Sequence, residues 1–353
     1  MPVGLLSAAC ATSAGMQLAP EVGGCPEREA SSAFGTIAWY VPSGSGDKAS
    51  NERWCRTVGP PVVRTVPSVS PPDPADGDSL AVIGWNILIG GGDVPRLLIQ
   101  EAHRRSEAVP DVPESFRFPP RIVPASHPEG WPDIVELARR CGLALFYVPS
   151  QRNGPETVVG GREDKGNAIL ATLPLSDLLA IELPFEAGRK VAVGATISLA
   201  AGKRLRVVSV HLDVASTLYR TLTTANTARL RQAVGVVEAL ALSKSGEITS
   251  GMVPVGSGGV SCGVRPHTIA TVLAGDFNTW SAGESTVDQL LACFPDSAPW
   301  DGQPTHGSYP TDFIFFRRAA EGRIWRLDGS EERVADSYGS DHHARIAWLE
   351  WSE

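Results

Sequence analysis

The sequence predicts a mixed α/β sandwich. Short apolar runs of strand length outnumber the segments with helical periodicity. Hairpin-like neighbours alternate with stretches long enough to cross over, whereas a doubly wound parallel sheet would alternate strand and helix throughout. The 353 residues, 42% hydrophobic and 20% charged, supply one large or two small domains with material for a sizeable core.

In chain order, residues 1–78 are rich in Gly, Pro, Ser and Ala and read as an N-terminal extension. Its start, Met1 to Gln17, is small and apolar. It resembles the late part of a secretory signal or an imperfect lipoprotein box ending at Cys10, and a disordered terminus or a misplaced start codon fits it as well. One island, Ile37-Ala38-Trp39-Tyr40-Val41 followed by Trp54-Cys55, is too aromatic to stay in water. It is expected to dock as an arm on the main domain, outside the catalytic unit, pinned by a Cys25–Cys55 bond. Pro71-Pro72-Asp73-Pro74 marks the boundary, and residues 79–353 form the main domain.

That domain opens with Ser79–Asn86, a strand ending in an asparagine. After Gly90-Gly91-Gly92, the run Arg96–Glu101 is expected to be a strand delivering a carboxylate to its end. Helical spacing predicts helices over Asp133–Cys141, Thr223–Leu242 (Leu230, Val234 and Val237 on one face) and near Thr286–Cys293. Strands are predicted at Leu143–Val148, Gly166–Ala171, Lys190–Leu199 and Arg204–Val210, the last running into His211-Leu212-Asp213. Ser243–His267, Gly/Ser/Val-rich and aperiodic, reads as an inserted surface loop. Thr311–Phe316 and Ser340–Trp348 complete the pattern.

The chain is organised around Val272-Leu273-Ala274-Gly275-Asp276-Phe277-Asn278-Thr279. The apolar residues read as the end of a buried strand, and Gly275 permits a tight turn. Asp276 and Asn278, two apart, leave the same face if the backbone is extended. A carboxylate that binds metal or acts as base, beside an amide that donates to an oxyanion, suits hydrolysis of a phosphate ester. A lone G-D-x-N would be an Asx-turn. Here it has company: Asn86, Glu101, His211, Asp213, Asp312, Asp341 and His342 mostly sit where an apolar run begins or ends. Polar groups brought to one edge of a β-core by separate strands make a rigid site.

In order, Trp85-Asn86, Gln100-Glu101, Gly166-Asn167-Ala168-Ile169-Leu170, His211-Leu212-Asp213, Gly275-Asp276-Phe277-Asn278, Asp312-Phe313-Ile314-Phe315 and Ser340-Asp341-His342 resemble the motifs of the endonuclease/exonuclease/phosphatase superfamily. Its members include pancreatic-type deoxyribonuclease, apurinic endonucleases, neutral sphingomyelinases and inositol polyphosphate 5-phosphatases. The resemblance spans residues 79–353. It departs from the family at Thr311, where Leu or Ile is common, and at the 243–267 insertion.

The resemblance implies a four-layer α/β sandwich, two mixed β-sheets face to face with helices outside and the site in loops at one edge. It implies Glu101 as principal ligand of Mg²⁺ (or Mn²⁺), with Asn86 beside it and Asp341 ligating metal or holding a neighbouring histidine. Asp276 would orient or deprotonate water, and Asn278 would donate to a non-bridging oxygen. His342 would stand at the scissile phosphate, oriented by Asp312, and His211 would bind the phosphate from the other side. Asn167, Asp213, Arg104 and Arg105 are the substrate-binding candidates, Asp213 with the alternative of capping the next loop. Arg162, Lys165, Arg189 and Lys190 are expected on the rim, and His343 has no matching role.

The implied activity is that of a divalent-metal-dependent phosphodiesterase or nuclease. Alternatives are a sphingomyelinase-like or phosphomonoester hydrolase, and a binding or effector protein without chemistry. The net charge of -8, from 31 basic and 39 acidic residues, excludes a global basic field for gripping nucleic acid but allows a local patch. No H-E-x-x-H or C-x-x-C supports a zinc site. The cysteines at 10, 25, 55, 141, 262 and 293, even in number, fit disulfides in an oxidising compartment. No run is long enough to cross a membrane as a helix. An extracytoplasmic monomer is the expected form.

Overall fold

The computed structural model describes residues 15–18, 37–55, 58–65, 79–87, 92–105, 134–152, 164–198, 204–214, 225–243, 254–255, 259–260, 269–319 and 324–352. The elements begin with β1 (Met16–Leu18), β2 (Ala38–Pro42), α1 (Ser45–Cys55), β3 (Val62–Arg64), β4 (Ser79–Gly84), α2 (Val94–Arg105) and α3 (Ile134–Arg140). Then come β5 (Ala144–Arg152), β6 (Asp164–Ala171), β7 (Leu175–Glu182), β8 (Val191–Ser198), β9 (Arg204–His211) and α4 (Ala225–Leu242). A small hairpin of β10 (Pro254–Val255) and β11 (Gly259–Val260) precedes β12 (Ala270–Asp276), α5 (Ser285–Cys293), β13 (Asp312–Arg317), β14 (Ile324–Arg333) and β15 (Arg345–Ser352).

β12 shows how the layers arise. Side chains alternate across a strand, so Ala270, Val272 and Ala274 enter one core while Leu273 enters the other. Both faces are therefore apolar, and every β12 residue is buried. β12 belongs to a seven-stranded sheet in the order β1-β2-β7-β8-β9-β12-β13, whose β2–β7 and β9–β12 pairs are parallel and whose other pairs are antiparallel. One face packs on β5, β6 and β15 through Phe146, Val148, Ile169, Ala347 and Leu349. The other is covered by α4 and α5 through Leu230, Val234, Val237 and Leu290. The second β-layer is two three-stranded pieces, β3-β5-β6 and β14-β15-β4. Helix α3 covers the first piece and α2 covers the second, through Ala138 and Leu97 respectively. The result is a four-layer α/β sandwich, the predicted class.

Three local expectations are corrected. Arg96–Glu101 is not a strand: it lies in α2, which Asp93 begins by accepting the Arg96 N–H at 3.1 Å. Pro95 sits in the first turn, where its missing N–H costs nothing, and Val94, Leu97 and Leu98 have helical spacing. Strands β7 and β14 were not legible, because each carries a bulge (between Ser176 and Leu179, and between Leu327 and Glu331) that breaks the period of two. The expected extension is woven into the fold: β1 and β2 extend the large sheet beside β7, and β3 pairs with β5. Trp39 and Tyr40 are buried there. Cys55 and Cys293 each belong to a disulfide and Cys141 is a free thiol, while Cys25, the expected partner of Cys55, lies outside the described residues.

Arg189, expected on the rim, is a core staple instead. Its guanidinium donates to Glu182 Oε1 at 2.9 Å and to the carbonyl of Pro149 on β5 at 3.0 Å, tying the two β-layers together. Both charged groups are 1% exposed. Removing one partner of such a pair leaves an uncompensated buried charge. Arg189→Ala is therefore expected to destabilise the fold by about 3–5 kcal/mol in urea unfolding. Deleting residues 1–72 is expected to yield insoluble or unfolded protein, because it strips β7 and β5 of one hydrogen-bonded neighbour each; size-exclusion chromatography and circular dichroism check this.

Candidate active site

Strand register builds the first row of the site. Asp276 is paired with His211 on parallel β9 and with Asp312 on antiparallel β13, so the three side chains stand abreast at one sheet edge. Gly275 is needed here for close approach rather than for a turn. Its φ is 144°, and a Cβ would lie 1.9 Å from the Val210 carbonyl oxygen. The second row comes from the facing sheet. Arg345 pairs with Gly84, so the loop 340–344 enters β15 beside Trp85-Asn86 at the end of β4. Trp85 Nε1 donates to the His342 carbonyl at 3.0 Å, and Ser340 Oγ donates to the Asn86 carbonyl at 2.6 Å. These bonds hold His342 and Asn86 over the first row.

The rows meet at Asp276. Its Oδ2 accepts the Asn86 amide at 2.8 Å, with His211 Nε2 at 3.8 Å and His342 Nε2 at 3.9 Å. Its Oδ1 accepts the Asn278 N–H at 2.8 Å. The predicted shared face of Asp276 and Asn278 is thus replaced by an Asx-turn, with Asn278 at φ 52°. Asn278 also donates its side-chain amide to the Leu212 carbonyl at 3.0 Å, which leaves one amide hydrogen for another acceptor.

His342 Nδ1 stands 2.7 Å from Asp312 Oδ2, and both residues are buried. The carboxylate accepts a hydrogen bond from Nδ1–H, so Nε2 faces the cleft, 3.5 Å from the Asn86 amide and 4.0 Å from Asp341. A hydroxyl chain behind Asp312 escaped the sequence reading. Thr305 Oγ1 accepts the Thr311 and Asp312 N–H groups at 3.2 and 3.0 Å, which directs its own proton to Thr311 Oγ1 at 3.1 Å. Thr311 Oγ1 in turn donates to Asp312 Oδ2 at 2.8 Å. The departure from the family at Thr311 therefore adds a donor to the carboxylate that orients His342. A hydroxyl residue directly before Asp312 was the available signal.

Environment separates the two histidines. Burial lowers the His342 pKa, but the hydrogen bond and charge of Asp312, with Asp276 and Asp341, outweigh it and raise the value overall. His211 is held well below its usual value by desolvation and by the nearby charge of Lys190. Lys190 itself is lowered to about 8 by desolvation, opposed by Asp276 and Asp213. Two imidazoles in one cleft, one inclined to carry a proton and one to stay neutral, are equipped for different tasks.

Other predicted residues fall less centrally. Asn167 lines the cleft on β6 and donates to the Val191 carbonyl at 2.6 Å. Asp213 is buried, accepts the Ala187 N–H at 3.0 Å and has its own N–H on Gln232 of α4, so it braces the loop as in the capping alternative. Asp341 is half-exposed at the mouth, 3.6 Å from His306. His306 was also missed, and its ring stacks on that of His342 with centroids 4.4 Å apart. His343 Nδ1 donates to the Val334 carbonyl at 3.0 Å, and its backbone N–H donates to the Thr305 carbonyl at 2.8 Å, so its ring points away from this row. The side chains of Glu101, Arg104 and Arg105 on α2, and Arg162, lie outside the described residues.

The donor set fits a hard divalent cation. Asp276, Asp312 and His342 place ligand atoms within 4.8 Å of one another, as do His306, Asp341 and His342, and Asn86 lines the same cleft. No thiolate is among the cleft residues.

No family model matches the sequence, and no curated protein does. Among solved structures, the catalytic domain of human Nocturnin with bound sulfate matches at a TM-score of 0.50 and 18% identity, covering 78% of this chain and 95% of that one. The chain has the deoxyribonuclease I-like fold. A second structure, an endonuclease/exonuclease/phosphatase from Beutenbergia cavernae, is similar at a TM-score of 0.46 and 15% identity over 78% of this chain and 72% of that one. Within the deoxyribonuclease I-like fold of this chain, the site just described occupies one edge of the sandwich, where both sheets end.

The Asp312–His342 pair makes a direct prediction. Asp312→Asn removes the charge that raises the His342 pKa, so the imidazole is expected to titrate at lower pH than in the parent protein. Histidine NMR titration of metal-free protein measures this; an unchanged midpoint would contradict the pairing.

Proposed function

We propose that this protein is a divalent-metal-dependent phosphoesterase, a phosphodiesterase or nuclease that cleaves a P–O bond by in-line attack of water. The observation that carries this reading is the buried Asp312–His342 pair aiming Nε2 into a cleft faced by Asp276 and His211. The superfamily fold supports it, and the disulfide-bonded state of Cys55 and Cys293 supports an oxidising, extracytoplasmic setting.

In the proposed mechanism, the phosphate lies between the two imidazoles. His342, oriented by Asp312 and inclined to hold a proton at Nε2, donates to a phosphoryl oxygen as charge accumulates. Neutral His211 hydrogen-bonds the phosphate from the opposite side, and Lys190 supplies a positive charge deeper in the cleft. Asp276 positions the attacking water and takes its proton. The free amide hydrogen of Asn278 is available to a non-bridging oxygen. Asn86 and Asp341, with Glu101 carried over from the sequence motif, would hold the Mg²⁺ or Mn²⁺, which when bound stabilises negative charge on the phosphoryl and leaving oxygens.

Hydrolysis of bis-p-nitrophenyl phosphate tests the reading. The full-length protein should require Mg²⁺ or Mn²⁺ and lose activity on chelation. His342→Ala should lower kcat/KM by roughly a hundredfold or more, the scale of a positioned acid–base group. Asp312→Ala should fall similarly, and the double variant little further, because the two act as one unit. Undiminished hydrolysis in chelator, or by His342→Ala, would refute it.

A further inference from the structure

Two large aromatic side chains stand half-exposed beside the site and take no part in the mechanism above. Trp280 is 44% exposed and Tyr309 is 43% exposed, and their rings touch, with centroids 5.5 Å apart at 38°. Rings of this size normally contribute to a core, so a pair left in water calls for an occupant.

The structure holds the pair in place. Trp280 lies two residues beyond Asn278, and its N–H is bonded to Glu284 Oε1 at 2.6 Å. The intervening Thr279 is buried and donates to the Pro310 carbonyl at 2.6 Å, which clamps the Trp280 loop to the Tyr309 loop. Tyr309 closes a tight turn with His306 through bonds of 2.9 and 3.2 Å between their backbones. His306 then stacks on His342. The two rings therefore sit on loops anchored beside the candidate site, one just beyond Asn278 and the other turned back on His306, whose ring stacks on that of His342.

We propose that Trp280 and Tyr309 are a stacking platform for a nucleobase next to the scissile phosphate, which makes single-stranded nucleic acid the substrate class. The inference rests on the phosphoesterase reading for the phosphate but has its own observable. A planar base is the group that commonly accompanies a phosphodiester and recognises a ring face without regard to sequence. In a duplex the base faces are covered by their neighbours, so the platform reaches only unpaired bases. A lipid surface fits less well. Membrane docking uses a broad apolar face or a basic rim, and this pair is bordered by Ser281, Glu284, His306 and Ser308.

The test is equilibrium binding to full-length, metal-free protein, where nothing is hydrolysed. The probes are a labelled short oligothymidylate and an abasic oligomer of equal length and charge. The oligothymidylate should bind at least about tenfold more tightly, given the usual strength of base–aromatic stacking. Trp280→Ala and Tyr309→Ala should each shrink that ratio, while Tyr309→Phe, which keeps the ring, should preserve it. Equal binding of the two oligomers, no binding of either, or a ratio untouched by Trp280→Ala overturns the proposal. So does binding of phosphatidylcholine vesicles that is lost in Trp280→Ala, which would assign the rings to a membrane. Because the readout is base-dependent affinity, its failure is distinct from a failure to hydrolyse bis-p-nitrophenyl phosphate.

Discussion

The site depends on the register of β9, β12 and β13. Side chains on a strand alternate between faces, so a slip of one residue would turn Asp276 away from both His211 and Asp312. Several features oppose such a slip. Gly275 lets β12 approach Val210 where any Cβ would collide. Just beyond the strand end, Phe277 packs edge-on against Phe313 and Phe315, at 6.1 and 5.0 Å between centroids. The apolar packing that stabilises the strands is thus the same packing that aligns three polar side chains.

A polar relay then gives the row its direction. The chain Thr305, Thr311, Asp312, His342 has one consistent assignment of donors, and it ends with a single imidazole nitrogen facing the cleft. Buried networks of this kind specify geometry when their members are paired, since an alternative orientation would strand a buried polar group. One acceptor, Asp312 Oδ1, has no partner among the described residues. The carboxylate concentrates its bonds on the oxygen that holds His342.

The facing sheet must also be held in place, because Asn86 and His342 arrive from it. Buried cations do part of this work. Arg345 engages Glu331, which also accepts the Ile314 N–H of β13 at 3.3 Å, so the pair joins the two sheets close to Asp312. Arg189 does the same at β5. The N-terminal strands complete the sheet edges farther away, which explains why an arm with little apolar periodicity still buries Trp39 and Tyr40.

By itself the sequence determined the class of fold and the strand ends on which the candidate residues His211, Asp276 and Asp312 stand. Long, regular strands such as β8, β9 and β12 announce themselves by apolar runs, and the ends of those runs carry His211, Asp276 and Asp312 in any register that buries the core. Three things needed the tertiary structure. Bulged strands lose their periodicity, so β7 and β14 were illegible. Leu97-Leu98-Ile99 is an apolar run too short to separate strand from helix by pattern, and packing of Leu97 against β15 with the Asp93 cap decided for α2. Contacts between residues far apart in the chain, including His306 with His342 and Trp280 with Tyr309, exist only because loops from different strands converge. Local sequence carries periodicity and turn chemistry, but which loops meet at an edge is set by how the two sheets close on one core.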